Sequence, residues 1–196
     1  MSYKIDAAAL DLLFREARSH NGWTSAPVTD EELREVYELV KFGPTSANTQ
    51  PARFVFVRSA EAKKRLRPAL APGNLKAMDA PVIAIIGYDT RFYDRIPQLF
   101  PHNPGFRDVF ANAPQSVEPH ALRNSSLQGA YLILAARAVG LDVGAMSGFD
   151  AAKVEAEFFP GGTVKANFLA ALGHGEHSKV FERLPRLDFE DAAEIV

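Results

Sequence analysis

Apolar residues first recur in register at Leu10, Leu13, Phe14 and Ala17, the i, i+3, i+4, i+7 spacing of one helix face. The spacing predicts a helix from near Asp6 to residues 18–21, closed by Gly22. A second helix carries its own boundaries. Thr29 and Glu32 have capping-box spacing, and Val28 with Leu33 fits a hydrophobic staple. Leu33, Val36, Tyr37 and Val40 form its stripe, and Gly43 with Pro44 stops it. Residues 54–57 are a short β-branched and aromatic run, read as a strand, and residues 60–70 read as helical. Residues 82–88 are continuously apolar behind Pro81, the pattern of a strand buried on both faces.

The longest helical pattern covers residues 122–139. From Gly129 to Val139 it is apolar nearly all round, so it must be enclosed on every side, and a chain this short does not easily enclose it alone. A homodimer interface is the natural expectation. Residues 141–146 form a strand, Asp150 caps a helix running to Phe159, and residues 164–172 form the last strand. Helices first, then strands alternating with helices, fit an α+β or α/β sandwich in one domain over residues 1–196. Residues 89–119 interrupt this regularity with five prolines and several aromatics; such an irregular insert is expected to be a lid or binding loop.

Composition narrows the chemistry. The 196 residues are 47% hydrophobic and 23% charged, a folded globular balance, and the formal charge of −2 disfavours nucleic acid or an anionic membrane as main partner. Without cysteine there are no disulfides, zinc-thiolate sites, iron–sulfur clusters or thiol nucleophiles. No secretory signal or spanning segment is evident, so a cytoplasmic protein is expected. Gly173-His174-Gly175 follows a strand but lacks the third glycine and the helix of a dinucleotide fingerprint. His102, His120, His174 and His177 have no supporting carboxylate pattern for a metal, and Ser46, Ser125 and Ser126 lack a nucleophile-elbow context. Redox chemistry here would have to come from an organic cofactor.

Four separated segments then stand out. Ala17-Arg18-Ser19-His20-Asn21 offers a guanidinium fork suited to a phosphate. Pro44-Thr45-Ser46-Ala47-Asn48-Thr49-Gln50-Pro51 places donors and acceptors in a Pro-bounded loop. Gly140-Leu141 followed by Met146-Ser147-Gly148-Phe149-Asp150 is a strand-to-helix turn, and Arg183-Leu184-Pro185-Arg186 adds two arginines near the end. Together, and in this order, they resemble the motifs of the nitroreductase family, with Lys76 matching a family lysine near the flavin ring.

The resemblance implies a three-layer α/β/α, α+β fold with a mostly antiparallel sheet, assembled as an intertwined homodimer with FMN at the interface. It places Arg18, Ser19, His20, Asn21, Arg183 and Arg186 on the phosphate, ribityl chain and ring edge. Pro44, Thr45, Ser46, Asn48 and Gln50 would reach the flavin held mainly by the other subunit. Met146 and the backbone of Ser147 and Gly148 would face flavin N5, with Gly148 allowing close approach. Thr45, Ser147 and Asn21 depart from common family residues, Asn21 by losing a positive charge. NADPH or NADH would be the hydride donor in a ping-pong cycle. The Ala-Arg-Ser-His-Asn-Gly-Trp segment resembles the malonic semialdehyde reductase branch of pyrimidine catabolism, whose product is 3-hydroxypropionate. A nitroaromatic or quinone reductase, a flavin-binding module without carbonyl turnover, and an interaction protein without cofactor are the alternatives. Arg91, Arg95 and Arg107 in the insert are candidates to meet a substrate carboxylate.

Overall fold

The computed structural model describes residues 4–196. Helix α1 (Ala7–Leu10) is capped by the Asp6 carboxylate, which accepts from the Ala9 N–H at 2.8 Å, and continues as a wider π turn over Asp11–Arg15. The helix stops before residues 18–21, and its expected core face is not buried: Leu10 and Phe14 stay exposed, as does Leu12. Helix α2 (Asp30–Val40) has the capping box in full. Thr29 Oγ1 accepts from the Glu32 N–H at 3.1 Å, and Glu32 accepts from the Thr29 N–H at 2.7 Å. Val28 and Leu33 lie in the same buried cluster, as the staple requires.

Strands β1 (Ala52–Val57), β2 (Val82–Asp89), β3 (Asp142–Met146) and β4 (Val164–Gly173) form one sheet in the order β1-β2-β4-β3. Every pairing is antiparallel. Side chains alternate across β2 and β4, which sit in the middle and are covered on both faces. Val82, Ala84, Ile86, Ala170 and Leu172 face one layer with α2 and helix α6 (Pro114–Ala138). Ile83, Ile85, Leu169 and Ala171 face the other layer, with helices α3 (Ala60–Leu66) and α7 (Ala151–Phe158) and the 3-10 segment Pro72–Asp79. Asp150 caps α7 through the Lys153 N–H at 3.1 Å, as its position predicts. The expected three-layer α+β architecture is therefore present.

Two expectations change. Helix α6 begins at Pro114, eight residues earlier than the apolar pattern marks, because its first turns are polar and carry Pro119. Proline at the first helical position loses nothing, since that N–H has no intrahelical partner anyway. The insert is also not irregular. It folds into short turns, with helices α4 (Ile96–Leu99) and α5 (Arg107–Ala111), around its own core of Tyr88, Phe92, Ile96, Phe110, Val117 and Ala121. Helix α6 is not enclosed by this chain either. Leu127 and Tyr131 are exposed on one face and Leu122 on another, and beyond β4 the tail carries exposed Phe181, Leu184, Leu187 and Phe189 around the short helix α8 (Phe189–Ala192). No helix among the described residues is long and apolar enough to cross a membrane.

Candidate active site

The segment after the π turn is stitched to the edge strand β3 and to the chain beyond β4. Ser19 bridges Val143, the His20 N–H donates to the Val143 carbonyl at 3.0 Å, and Thr24 N–H donates to the His174 carbonyl at 2.9 Å. The tail returns over it: Arg183 donates to the carbonyls of Arg15 at 2.6 Å and Ala17 at 3.2 Å, and Arg18 donates to the Phe181 carbonyl. Between them opens a cavity of about 580 Å³ whose wall holds Arg18, Arg137, Arg183 and Arg186. All four guanidiniums bond only to backbone carbonyls and none forms an ion pair with a carboxylate among the described residues. Burial pushes the Arg137 guanidinium below its ordinary range, so its charge is poorly solvated and favours an anion nearby. Four guanidiniums without a direct ion pair, against the single carboxylate Glu182 in the same lining, form a cradle for a multiply charged anion such as a phosphate.

A smaller cleft of about 80 Å³ adjoins it through Ser19 and Asn21, lined also by His20, Trp23, Asn74, Lys76 and residues 144–146. Lys76 Nζ stands 5.4 Å from the Phe181 ring. Asn74 donates to the Gly148 carbonyl at 2.9 Å, and a Cβ on Gly148 would lie 2.6 Å from Asn74 Nδ2, so the glycine makes room for Asn74. Met146 is half-buried and Ser147 exposed at the end of β3. His20 is turned inward and 4% exposed. Its Nε2 meets Asp142 at 3.1 Å, and its Nδ1 is buried without a hydrogen-bond partner. Burial lowers its basicity more than Asp142 raises it. Asp142 also accepts from the Gly175 N–H at 2.8 Å, and a Cβ on Gly175 would lie 1.8 Å from the ring. The Gly-His-Gly segment thus packs against the first motif, which accounts for a glycine there without any dinucleotide.

The second motif sits elsewhere in the chain. None of Pro44, Thr45, Ser46, Asn48 and Gln50 lines either cleft around Arg18. Ala47, Asn48 and Gln50 adopt left-handed φ values of 49°, 49° and 41°, unusual for residues with a Cβ and costing about 1–3 kcal/mol each. Helix α6 holds this loop: the Ser46 N–H donates to Asn124 at 2.8 Å and the Ala52 N–H to Gln128 at 2.9 Å, while Thr49 Oγ1 and His120 Nε2 are 3.0 Å apart. His120, Asn124 and Gln128 are spaced i, i+4, i+8, a polar stripe half-buried at His120 and buried at Asn124 and Gln128. That stripe was the available signal for these supports. Asn48 donates to the Leu99 carbonyl at 2.8 Å and accepts from Gln50 at 2.7 Å, which ties the insert to the loop.

The three insert arginines are not equivalent. Arg91 and Arg107 both bind Asp94, at 2.7 Å and 3.1 Å, and both stand over the Tyr93 ring. Arg95 forms no ion pair among the described residues and lines a different cavity, with Gln50 and Gln98. Reasoning from sequence missed Arg137 and Asn74; Arg137 had a signal, as the one charge closing the apolar stretch of α6.

A model described as the nitroreductase family matches residues 14–161 of the chain. Among solved structures, a protein assigned as a nitroreductase from Exiguobacterium sibiricum, in complex with FMN, is similar over 100% of both chains at 20% identity with a TM-score of 0.87. One assigned as an NAD(P)H:FMN oxidoreductase from Staphylococcus epidermidis is 19% identical, over 100% of this chain and 99% of that one, with a TM-score of 0.83. A gut-bacterial enone reductase of fatty acid saturation is 22% identical, over 98% and 100%, with a TM-score of 0.84.

Proposed function

This chain belongs to the nitroreductase family, and from that we infer that it is an FMN-dependent oxidoreductase using NADPH or NADH. The observation that carries the reading is the cavity with four arginines and one carboxylate, Glu182, in its lining, adjoining through Ser19 and Asn21 a cleft with amides and a lysine. The donor set fits FMN. Arg18, Arg137, Arg183 and Arg186 would bind the phosphate. Ser19, Asn21, Asn74, Lys76 and the residues 146–148 would border the ring, with His20 buttressing the loop from below. When bound, FMN supplies a two-electron carrier between the nicotinamide donor and an oxidised substrate. Lys76 would stabilise negative charge on the reduced ring, and the backbone at Ser147 and Gly148 would hold its reactive edge. The FMN complex and the oxidoreductase among the structural neighbours support the same reading.

The assembly we propose is a homodimer. Its support is the exposed Leu127 and Tyr131 on α6 together with the apolar tail. A loop that is rigid, strained and remote from the arginine cradle of its own chain fits a role at the cradle of a partner. A cytoplasmic location accords with the need for reduced nicotinamide. For the substrate, the Ala17–Trp23 motif, 17–23, favours malonic semialdehyde, reduced to 3-hydroxypropionate. The NAD(P)H:FMN oxidoreductase likeness favours a quinone or nitroaromatic reductase as second reading.

The test begins with the purified protein. It should be yellow, with about one FMN per chain, and NADPH should bleach the flavin anaerobically. A colourless protein that takes up no added FMN overturns the reading. A yellow protein that no nicotinamide bleaches is a flavin-binding module instead. Adding malonic semialdehyde to the bleached protein should restore the colour with 3-hydroxypropionate as product; restoration by quinone alone moves the substrate to the second reading.

A further inference from the structure

The cavity that holds Arg95 measures about 410 Å³ and is lined by twelve residues, of which Lys41, Arg53 and Arg95 are cationic and none is acidic. Gln50, Gln98 and Gln128 add three amides to the same wall. Two of the cations are already neutralised: Arg53 by Asp89 at 2.6 Å, and Lys41 by Glu38. Arg95 has no such partner among the described residues and makes no hydrogen bond there, although its neighbours Arg91 and Arg107 share Asp94. An exposed arginine lining a cavity without acid, beside amides that can donate, is free to receive an anion.

Its backbone position is tied to the second motif. Arg95 immediately precedes α4, whose last residue Leu99 accepts from Asn48, and Asn48 accepts from Gln50. The receptor is therefore tied to the strained loop of the second motif, the loop with left-handed Ala47, Asn48 and Gln50. We propose that Arg95, with Gln50 and Gln98 beside it, forms a subsite for the carboxylate of a small acidic substrate. The planar guanidinium grips the carboxylate through two parallel N–H donors and leaves the reducible end of the molecule facing out along the loop. Arg91 and Arg107 take no part, since Asp94 already occupies them. The assignment rests on the flavin-enzyme reading for its use in catalysis, but the subsite itself is a property of the cavity.

The experiment uses the purified holoprotein with Arg95→Gln, Arg95→Lys and, as control, Arg91→Gln. Because Arg95 makes no hydrogen bond or ion pair among the described residues, Arg95→Gln should leave the melting temperature and the anaerobic bleaching by NADPH unchanged. Propionate is the probe, followed by saturation-transfer NMR and as a competitor in quinone reduction. Arg95→Gln should weaken propionate about ten- to a hundredfold. Arg95→Lys should keep part of the affinity, and Arg91→Gln all of it. The KM for malonic semialdehyde should rise by a like factor in Arg95→Gln with kcat nearly unchanged, and the KM for a neutral quinone should stay put. Equal propionate binding by wild type and Arg95→Gln overturns the subsite, whatever substrate the enzyme reduces. Arg95-dependent propionate binding in a protein that does not turn over malonic semialdehyde keeps the subsite and discards that substrate.

Discussion

Arg18 and Arg183 stand at the same cavity from opposite ends of the chain, and each also pins the segment that carries the other. On the proposed reading, removing either guanidinium would take away a charge-assisted contact to the FMN phosphate, worth about 1.5–3 kcal/mol. Arg18→Ala and Arg183→Ala should each weaken FMN binding about ten- to over a hundredfold in titrations of the apoprotein. Unchanged affinity in both would move the phosphate elsewhere. His20 and His120 give a second residue-level expectation. Burial is the leading cause that lowers both imidazoles from the ordinary 6.5, helped at His20 by His177, Arg18 and Arg137 and opposed by Asp142, and helped at His120 by Arg123. The unfolded chain then binds more protons just below 6.5, so stability present above 6.5 is lost as pH falls from 6.5 through the folded values. The melting temperature should drop on acidification from about pH 7.5 to 5.5, and His120→Gln should shrink the drop. An identical drop in the variant would relieve His120 of the role.

At the level of elements, α2 is the one whose ends were most legible. Its capping box satisfies two N–H groups that the first turn leaves open, and the Thr29 bonds hold the Glu32 carboxyl below its usual range. Thr29→Ala should cost about 1 kcal/mol, read from urea midpoints at constant slope. The Glu32 share of that stability is present above pH 4.5 and lost as the pH falls through its depressed value, so the penalty should narrow in acid. A penalty that is the same at pH 7 and pH 3 would show that the Thr29 hydroxyl adds nothing to the Glu32 carboxylate, whose bond from the Thr29 backbone N–H survives the substitution. Helix α6 teaches the opposite lesson. Its apolar stretch announced a helix, but its polar first turns and Pro119 hid the true start, and the supports it gives the strained loop come from polar side chains.

Across the whole molecule, the exposed apolar surface has a pattern. Leu127 and Tyr131, spaced i, i+4, share one face of α6, while Phe181, Leu184, Leu187 and Phe189 stay exposed along a tail that the bonds of Arg18 and Arg183 tie to the first motif. A second chain would cover both. Leu127→Asp with Tyr131→Asp changes side chains already exposed here, so it should leave the single chain folded while burying two like charges in a symmetric interface. Sedimentation should report a dimer for the wild type and a monomer for the variant, with FMN lost alongside. A wild-type monomer that retains FMN would remove the dimer from the proposal.

The sequence by itself determined the features whose causes are local. The capping box, the doubly buried strand β2, the Asp150 cap and the stopping Gly43 and Pro44 all act within a few residues, where periodicity and side-chain chemistry can be read directly. The motif arginines Arg18, Arg183 and Arg186 stood out as candidate phosphate ligands through their resemblance to a family pattern, and they line one cavity. Only the tertiary structure brought Arg137 into the same cavity, joined Asn74 to Gly148 and wedged His20 against Gly175. It also decided that Asp94 takes Arg91 and Arg107 and leaves Arg95 free. The reason is distance along the chain: Ser46 meets Asn124 across 78 residues, and Arg183 meets Arg15 across 168. No periodicity spans such separations; packing of the layers sets which charges end as neighbours and which are left for a ligand.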